Sequence, residues 1–299
     1  MRVTDEVLRA GGRQIGYRLC GADARPALLY LHGSPSSRTE LGDYEPGLLE
    51  DLGICAVAVD RPGYGATDPL DDLDLLARCR DAAAVAGHLG MARFTVQGSS
   101  GGGPYALACA VLMPDQAQAV ILTSSGGNIG EEWALCAMPH GVADGWRRTW
   151  RDPGATRSRL ESAAAGLRDD PAASLRQLAS DWPADERDWL ERTSAAMAAD
   201  MSEATRQGAA GWWADGQSFG RPWPFDVASI QVPIHIFHGD SDSLAPLPIL
   251  RRSLAGAADM REERIYHGGN HFAPWATRDR QAAMLALIPG PRTSAARRP

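Results

Sequence analysis

Ser100 is the residue around which this chain can build chemistry. It sits at the centre of Gly98-Ser99-Ser100-Gly101-Gly102, a G-x-S-x-G pattern, between a β-branched apolar run at 94–96 and an apolar, helix-forming run at 104–110. A serine on so sharp a strand-to-helix turn has strained backbone angles, and its neighbours must lack side chains for the turn to close; glycines at 98 and 102 meet that demand. The hydroxyl then stands exposed above a sheet at the positive end of a helix, with the Gly101 amide free to donate to a developing oxyanion. Ser99 is the weaker candidate, because Gln97 occupies the place of its first glycine. The same residues also read as a plain Gly/Ser turn or a phosphate-cradling loop, although no Lys-Ser or Lys-Thr follows to make a nucleotide P-loop.

Acyl transfer by serine needs a base to take its proton and an acid to orient that base. Asp242 follows one late strand-like run (232–237) and His271 follows the next (263–266), so both fall at strand C-termini on the same edge of a sheet as Ser100. Asp240 is the rival carboxylate, but it reads as part of the turn itself, accepting backbone amides. His267 and His271 have the i, i+4 spacing of a helical metal pair; Gly268-Gly269 between them argues against a helix, and no clustered Cys or carboxylate ligands accompany them, so no metal and no cofactor are expected. His88 and His235 read as structural. Earlier in the chain, His32-Gly33-Ser34-Pro35 follows another buried run (27–31). In a hydrolase this loop would supply a second oxyanion donor, the Ser34 amide, with Gly33 allowing close approach and His32 bracing the loop; by itself it is also simply a turn after a strand.

These residues must be positioned by a sheet. Two runs around Gly11-Gly12 suggest an antiparallel hairpin at a sheet edge. Buried strands at 27–31, 54–59, 94–96 and 120–123 alternate with helical spacing at 39–52, 73–89 and 104–110, which predicts a doubly wound, mostly parallel sheet. From 128 to 229 strand-like runs vanish, and helices are predicted at 131–137, 158–168, 172–182 and 185–205. An all-helical insertion between two strands is most simply a lid (128–229) over a core formed by 1–127 and 230–288. Eight of the nine tryptophans lie between Trp133 and Trp223, where they either line an apolar substrate pocket or pack the lid onto the core. Residues 289–299, rich in Pro, Arg and small residues, read as a disordered tail.

Composition narrows the function classes. A formal net charge of -7 argues against a nucleic-acid or anionic-membrane surface, and no apolar stretch approaches the length of a membrane span. The first residues carry no apolar run with a small-residue cleavage site, and the five cysteines are scattered without C-x-x-C pairing, so a cytoplasmic protein with reduced thiols is expected.

Taken together, HGSP at 32–35, DRPGYG at 60–65, GSSGG at 98–102, HGDSD at 238–242 with Pro246, and GGNHF at 268–272 resemble the α/β-hydrolase superfamily, in its lid-bearing serine-hydrolase branch. They run in that family's order of nucleophile, carboxylate and histidine and span nearly the whole core; Trp223-Pro224-Phe225-Asp226 looks like the family's return from the lid. The resemblance implies an eight-stranded sheet with helices on both faces, a catalytic Ser100, Asp242 and His271, and an oxyanion hole from the Ser34 and Gly101 amides. Serine at 100 departs from the dehalogenase and epoxide hydrolase branches, which use aspartate there, and Gly101 departs from the proline iminopeptidases, which carry tryptophan beside the nucleophile. The expected activity is hydrolysis of a small, partly apolar carboxylic ester or lactone; the alternatives are a non-hydrolytic or ligand-binding protein on the same scaffold, or an amidase or peptidase.

Overall fold

Gly11 and Gly12, both at positive φ (57° and 78°), fold β1 (Arg2–Ala10) back on β2 (Arg13–Gly21) with Ala10 opposite Arg13. A two-residue hairpin turn of type I′ requires that left-handed pair. In the computed structural model, which describes residues 2–138, 140–169 and 181–288, this hairpin edges an eight-stranded sheet of order β1-β2-β4-β3-β5-β6-β7-β8. The remaining strands are β3 (Leu28–Leu31), β4 (Cys55–Val59), β5 (Phe94–Ser99), β6 (Ala117–Thr123), β7 (Ile234–Gly239) and β8 (Met260–Tyr266). Only the β1/β2 and β2/β4 pairs are antiparallel; every pairing from β4 through β8 is parallel.

Alternation along each inner strand sends side chains to two apolar layers. Leu29, Leu31, Val57, Val59 and Leu122 enter one, and Leu28, Tyr30, Ala56, Ala58 and Ile121 enter the other. Two short helical turns, α1 (Glu40–Asp43) and α2 (Leu48–Asp51), are followed by α3 (Leu75–His88), capped by Asp74, and by α4 (Gly102–Leu112). Val85 of α3 and Leu107 of α4 cover the first layer. A parallel sheet must be buried on both faces in this way, because its crossover helices lie there.

Between β6 and β7 the described residues form helices only: α5 (Glu132–Ala137), α6 (His140–Arg151), α7 (Pro153–Asp169), α8 (Ala184–Ala204), α9 (Ala210–Phe219) and a 3-10 turn at Val227–Ser229. Trp189 and Met197 of α8 belong to the second apolar layer, beside Leu28 and Tyr30. The chain then returns through α10 (Leu247–Ser253) after β7 and α11 (Arg278–Leu285) after β8.

Three sequence expectations meet a different structure or none. The helical spacing at 39–52 gives two four-residue turns, because Gly42 (φ 96°) and Gly47 (φ 85°) break the helix. Helices α6 and α9 were not anticipated, since glycines at 141, 145, 211 and 216 depress helix propensity. In α9 packing overrides propensity: a Cβ on Gly211 would strike the Tyr64 ring. The helix expected at 172–182 falls outside the described residues up to 180, as does all of the tail at 289–299.

Neighbouring parallel strands bring their C-terminal loops together. Because β3 lies between β4 and β5, the chain leaves β3 toward one side of the sheet and returns to it from the other. Ligands bind outside the strand ends at such a switch point. The loops carrying Ser34 and Ser100 meet there, packed backbone on backbone: a Cβ on Gly102 would collide with the Leu31 carbonyl. Gly102→Ala is therefore expected to lower stability by about 2 kcal/mol or more. By contrast, Gly87→Ala in α3, with nothing within 4 Å of the new methyl, is expected to raise it by about 0.5–1 kcal/mol. Denaturant unfolding of the two variants checks both signs.

Candidate active site

Ser100 holds φ at 50°, one of two positive-φ residues other than glycine among those described. Side chains avoid that region, so the turn persists only because its surroundings over-determine it. The Ser100 amide donates to the Thr123 carbonyl at 2.9 Å, and the Ser100 carbonyl accepts from Gly103 and Gly126 at 3.1 and 3.2 Å. The flanking glycines are needed for space: a Cβ on Gly98 would strike the Gly102 carbonyl, and one on Gly103 the Ser125 hydroxyl. Ser99 ends β5 and is buried.

The other two predicted side chains arrive at this turn. His271 Nε2 lies 3.1 Å from Ser100 Oγ, and its Nδ1 lies 2.8 Å from Asp242 Oδ2. With Nδ1–H donating to the carboxylate, Nε2 is left as an acceptor facing the hydroxyl. Asp242 Oδ1 accepts the amides of Leu244 and Ala245, both at 2.9 Å, and His238 Nε2 stands 3.2 Å from Oδ2. Burial pushes the Asp242 carboxyl up, but His271 and the hydrogen bond from His238 more than offset it and hold it well below the usual carboxylate range. Burial likewise pulls the His271 imidazole down, yet the adjoining Asp242 carboxylate, aided by Glu186 and Glu40, raises it above an ordinary histidine.

Asp240, the rival carboxylate, lies in the turn as expected. It accepts the Gly268 amide at 2.8 Å and pairs with the exposed His267 at 2.9 Å. His267 and His271 thus serve two different aspartates.

Gly33, Ser34, Ser100, Gly101 and His271 line one cavity, and a Cβ on Gly101 would run into Ser34. His32 is fully buried behind them. Its Nε2 accepts the Arg61 amide at 3.0 Å, its Nδ1 donates to the Gly33 carbonyl at 2.8 Å, and burial together with the Arg61 charge keeps it neutral. The Ser34 hydroxyl is held by Arg61 at 2.8 Å and by Asp215 of α9 at 2.5 Å; Asp215 also pairs with Arg61 at 2.6 Å and accepts from Tyr64 and Tyr105. Further along the loop that carries Ser34, the hydroxyls of Ser36, Ser37, Thr39 and Tyr44 donate to Asp200 of α8. Glu40 accepts the Gly33 amide at 2.7 Å, and burial beside Asp200 pushes its carboxyl up to about 7.

The cavity measures about 710 Å³, within the range of small-molecule sites. Its walls are largely apolar, with Trp146, Leu160, Trp212 and Phe219 from the helical segment facing Ile249 and Phe272 from the core. Most of the segment's other tryptophans pack elsewhere: Trp182 and Trp189 bear on Phe272, Trp223 stacks on Phe225, and Trp133 lies under Arg252. Among the described residues no cluster of His, Cys, Asp or Glu could hold a metal ion, and no helix is long and apolar enough to cross a membrane.

Glu40, Glu186, Asp200, Asp215 and His238 contribute to this site without having been singled out from the sequence. Asp215 left a trace, as the one charged residue in the 210–219 stretch. Glu186 left none, since it sits in the charged run Asp185-Glu186-Arg187-Asp188.

Comparison with known proteins agrees with this architecture. The chain is 26% identical over 124 residues to the sn-1-specific diacylglycerol lipase ABHD11 of Mus musculus, a match covering 39% of this chain and 40% of that protein. Among solved structures it resembles a bromoperoxidase from Bacillus anthracis (TM-score 0.70, 18% identity, 95% of this chain and 99% of that one). It also resembles an epoxide hydrolase from Vigna radiata (TM-score 0.68, 17% identity, 96% and 98%). At these identities the two structures speak for the fold. The model of the alpha/beta hydrolase family matches residues 28–285, and with the order of strands and loops described above the chain belongs to that family.

Proposed function

We propose that this protein is a serine hydrolase that cleaves a carboxylic ester or lactone through an acyl-enzyme on Ser100. The observation that carries this reading is the single imidazole of His271 within hydrogen-bond reach of both Ser100 Oγ (3.1 Å) and Asp242 Oδ2 (2.8 Å). His271 takes the Ser100 proton as the oxygen attacks the acyl carbon, and Asp242 holds the imidazole in the required tautomer and stabilises its charged form. The amides of Ser34 and Gly101 receive the oxyanion. His271 then returns the proton to the leaving alcohol, and water, activated by the same base, releases the acid.

The helices at 128–229 act as a lid on a core of 1–127 and 230–288. A largely apolar cavity of about 710 Å³ suits a medium-sized, partly apolar acyl or alcohol group. Likeness to a protein named a diacylglycerol lipase supports an ester as the bond cleaved. Serine rather than aspartate on the turn favours an acyl-enzyme over the alkyl-enzyme route implied for epoxide hydrolases.

Ser100→Ala is expected to lower ester turnover by on the order of 10³-fold or more while leaving the fold intact. Wild-type protein should be labelled at Ser100 by a fluorophosphonate. Near-normal turnover by the alanine variant, or an unlabelled wild type, would remove the assignment and favour a binding protein on this scaffold.

The pH profile is a separate check. The base works unprotonated, and its pKa is raised by Asp242, so kcat/KM should climb with pH through a midpoint above the ordinary histidine value of about 6.5. A rate flat across that region is incompatible with a histidine base.

A further inference from the structure

We propose that Glu186, on α8 of the helical segment, is a positioning residue for the reaction: by gripping the backbone on both sides of His271 it sets the imidazole in line with Ser100. The inference rests on the reading of Ser100 and His271 as nucleophile and base. Glu186 Oε1 accepts the amide of Asn270 at 2.5 Å and Oε2 accepts that of Phe272 at 2.9 Å. One carboxylate thus bridges the two amides that straddle His271, with Glu186 itself 0% exposed.

A carboxylate taken wholly out of water is costly unless its oxygens are satisfied, and an apolar side chain would pack here without that cost. The loop has reason to need such a clamp. Gly268 (φ 72°) and Gly269 precede His271 closely, and glycines leave a segment free to take many conformations. The grip is reinforced three residues along the same helix face, where Trp189 meets the Phe272 ring at 5.1 Å. From the core side, Ser124 donates to the His271 carbonyl and Asn270 Oδ1 accepts its amide. The loop is therefore held from beneath by the core and from above by α8. In this arrangement the lid completes the reactive geometry as well as covering it.

Charge supplies a readout distinct from stability. The acids facing His271 are Asp242, Glu186 and Glu40, and those facing Glu186 are Asp185 and Asp242. Removing the charge at 186 takes away one contribution that favours the protonated imidazole.

The test uses the full chain, a p-nitrophenyl ester, and the variants Glu186→Gln and Glu186→Asp. Glutamine keeps the shape but turns a donor toward one of the two amides and loses the charge. Its kcat is expected to fall on the order of 10- to 100-fold with KM within about threefold of wild type, and its rising pH limb to move to lower pH. Aspartate keeps the charge but is one methylene short, so kcat should fall while the limb stays where it is. Melting temperatures show whether each variant is folded. If the glutamine variant is not, unchanged kcat in the aspartate variant overturns the proposal. Wild-type kcat and an unmoved limb in folded Glu186→Gln overturn it as well, with the hydrolase reading left standing. A wild type that neither turns over the ester nor labels at Ser100 sinks that reading first, and the clamp with it.

Discussion

Everything at the site depends on one backbone reversal, where β5 ends and α4 begins. A non-glycine residue at positive φ is held there only because adjacent segments approach so closely that no other path is open. The closeness is made by absent side chains: Gly98 lies against the Gly102 carbonyl, Gly102 against the Leu31 carbonyl and Gly103 against Ser125. Three segments distant in sequence, the ends of β3 and β6 and the start of α4, are thereby locked around Ser100. The hydroxyl has few ways to point, and His271 lies along one of them.

A second constraint is electrostatic. Buried carboxylates are stable only when their oxygens are satisfied, and the helical segment contributes three that are almost wholly shielded from water: Glu186, Asp200 and Asp215. Each finds its partners on a core loop beside the cavity: the His271 loop, the 36–39 turn, and Ser34 with Arg61. Apolar contact through Trp189 and Met197 fastens the same segment to the sheet. Hydrophobic burial is non-directional and supplies attachment, whereas hydrogen bonds to a carboxylate specify where each helix sits. Breaking any one of the three would strand a charge in the interior, so segment and core are coupled at the His271 loop, at the 34–39 loop and at Arg61.

Much of this was legible in the chain beforehand, for reasons that differ by element. The buried strands announce themselves because a sheet covered on both faces needs unbroken apolar runs, as at Leu28–Leu31 and Cys55–Val59. The turn at Ser100 is legible because only glycine tolerates the contacts around it. Asp242 and His271 are legible because each follows a strand, and strand ends in a parallel sheet collect on one edge. Helices α6 and α9 were hidden, since their glycines oppose helix formation locally and become explicable only once Tyr64 packs against Gly211.

The amino-acid sequence by itself determined the sheet, its winding, and which serine, aspartate and histidine could meet, because periodicity and glycine placement are local properties that act before the chain is folded. Tertiary structure alone decided what His267 would do: the sequence placed Asp240 in the turn and Asp242 with His271, but only the fold brings the exposed His267 onto Asp240 while His271 and Asp242 lie buried. It alone also decided the roles of Glu186, Asp200 and Asp215. A carboxylate's meaning lies in the donors around it, and here those donors stand 84 to 181 positions away along the chain.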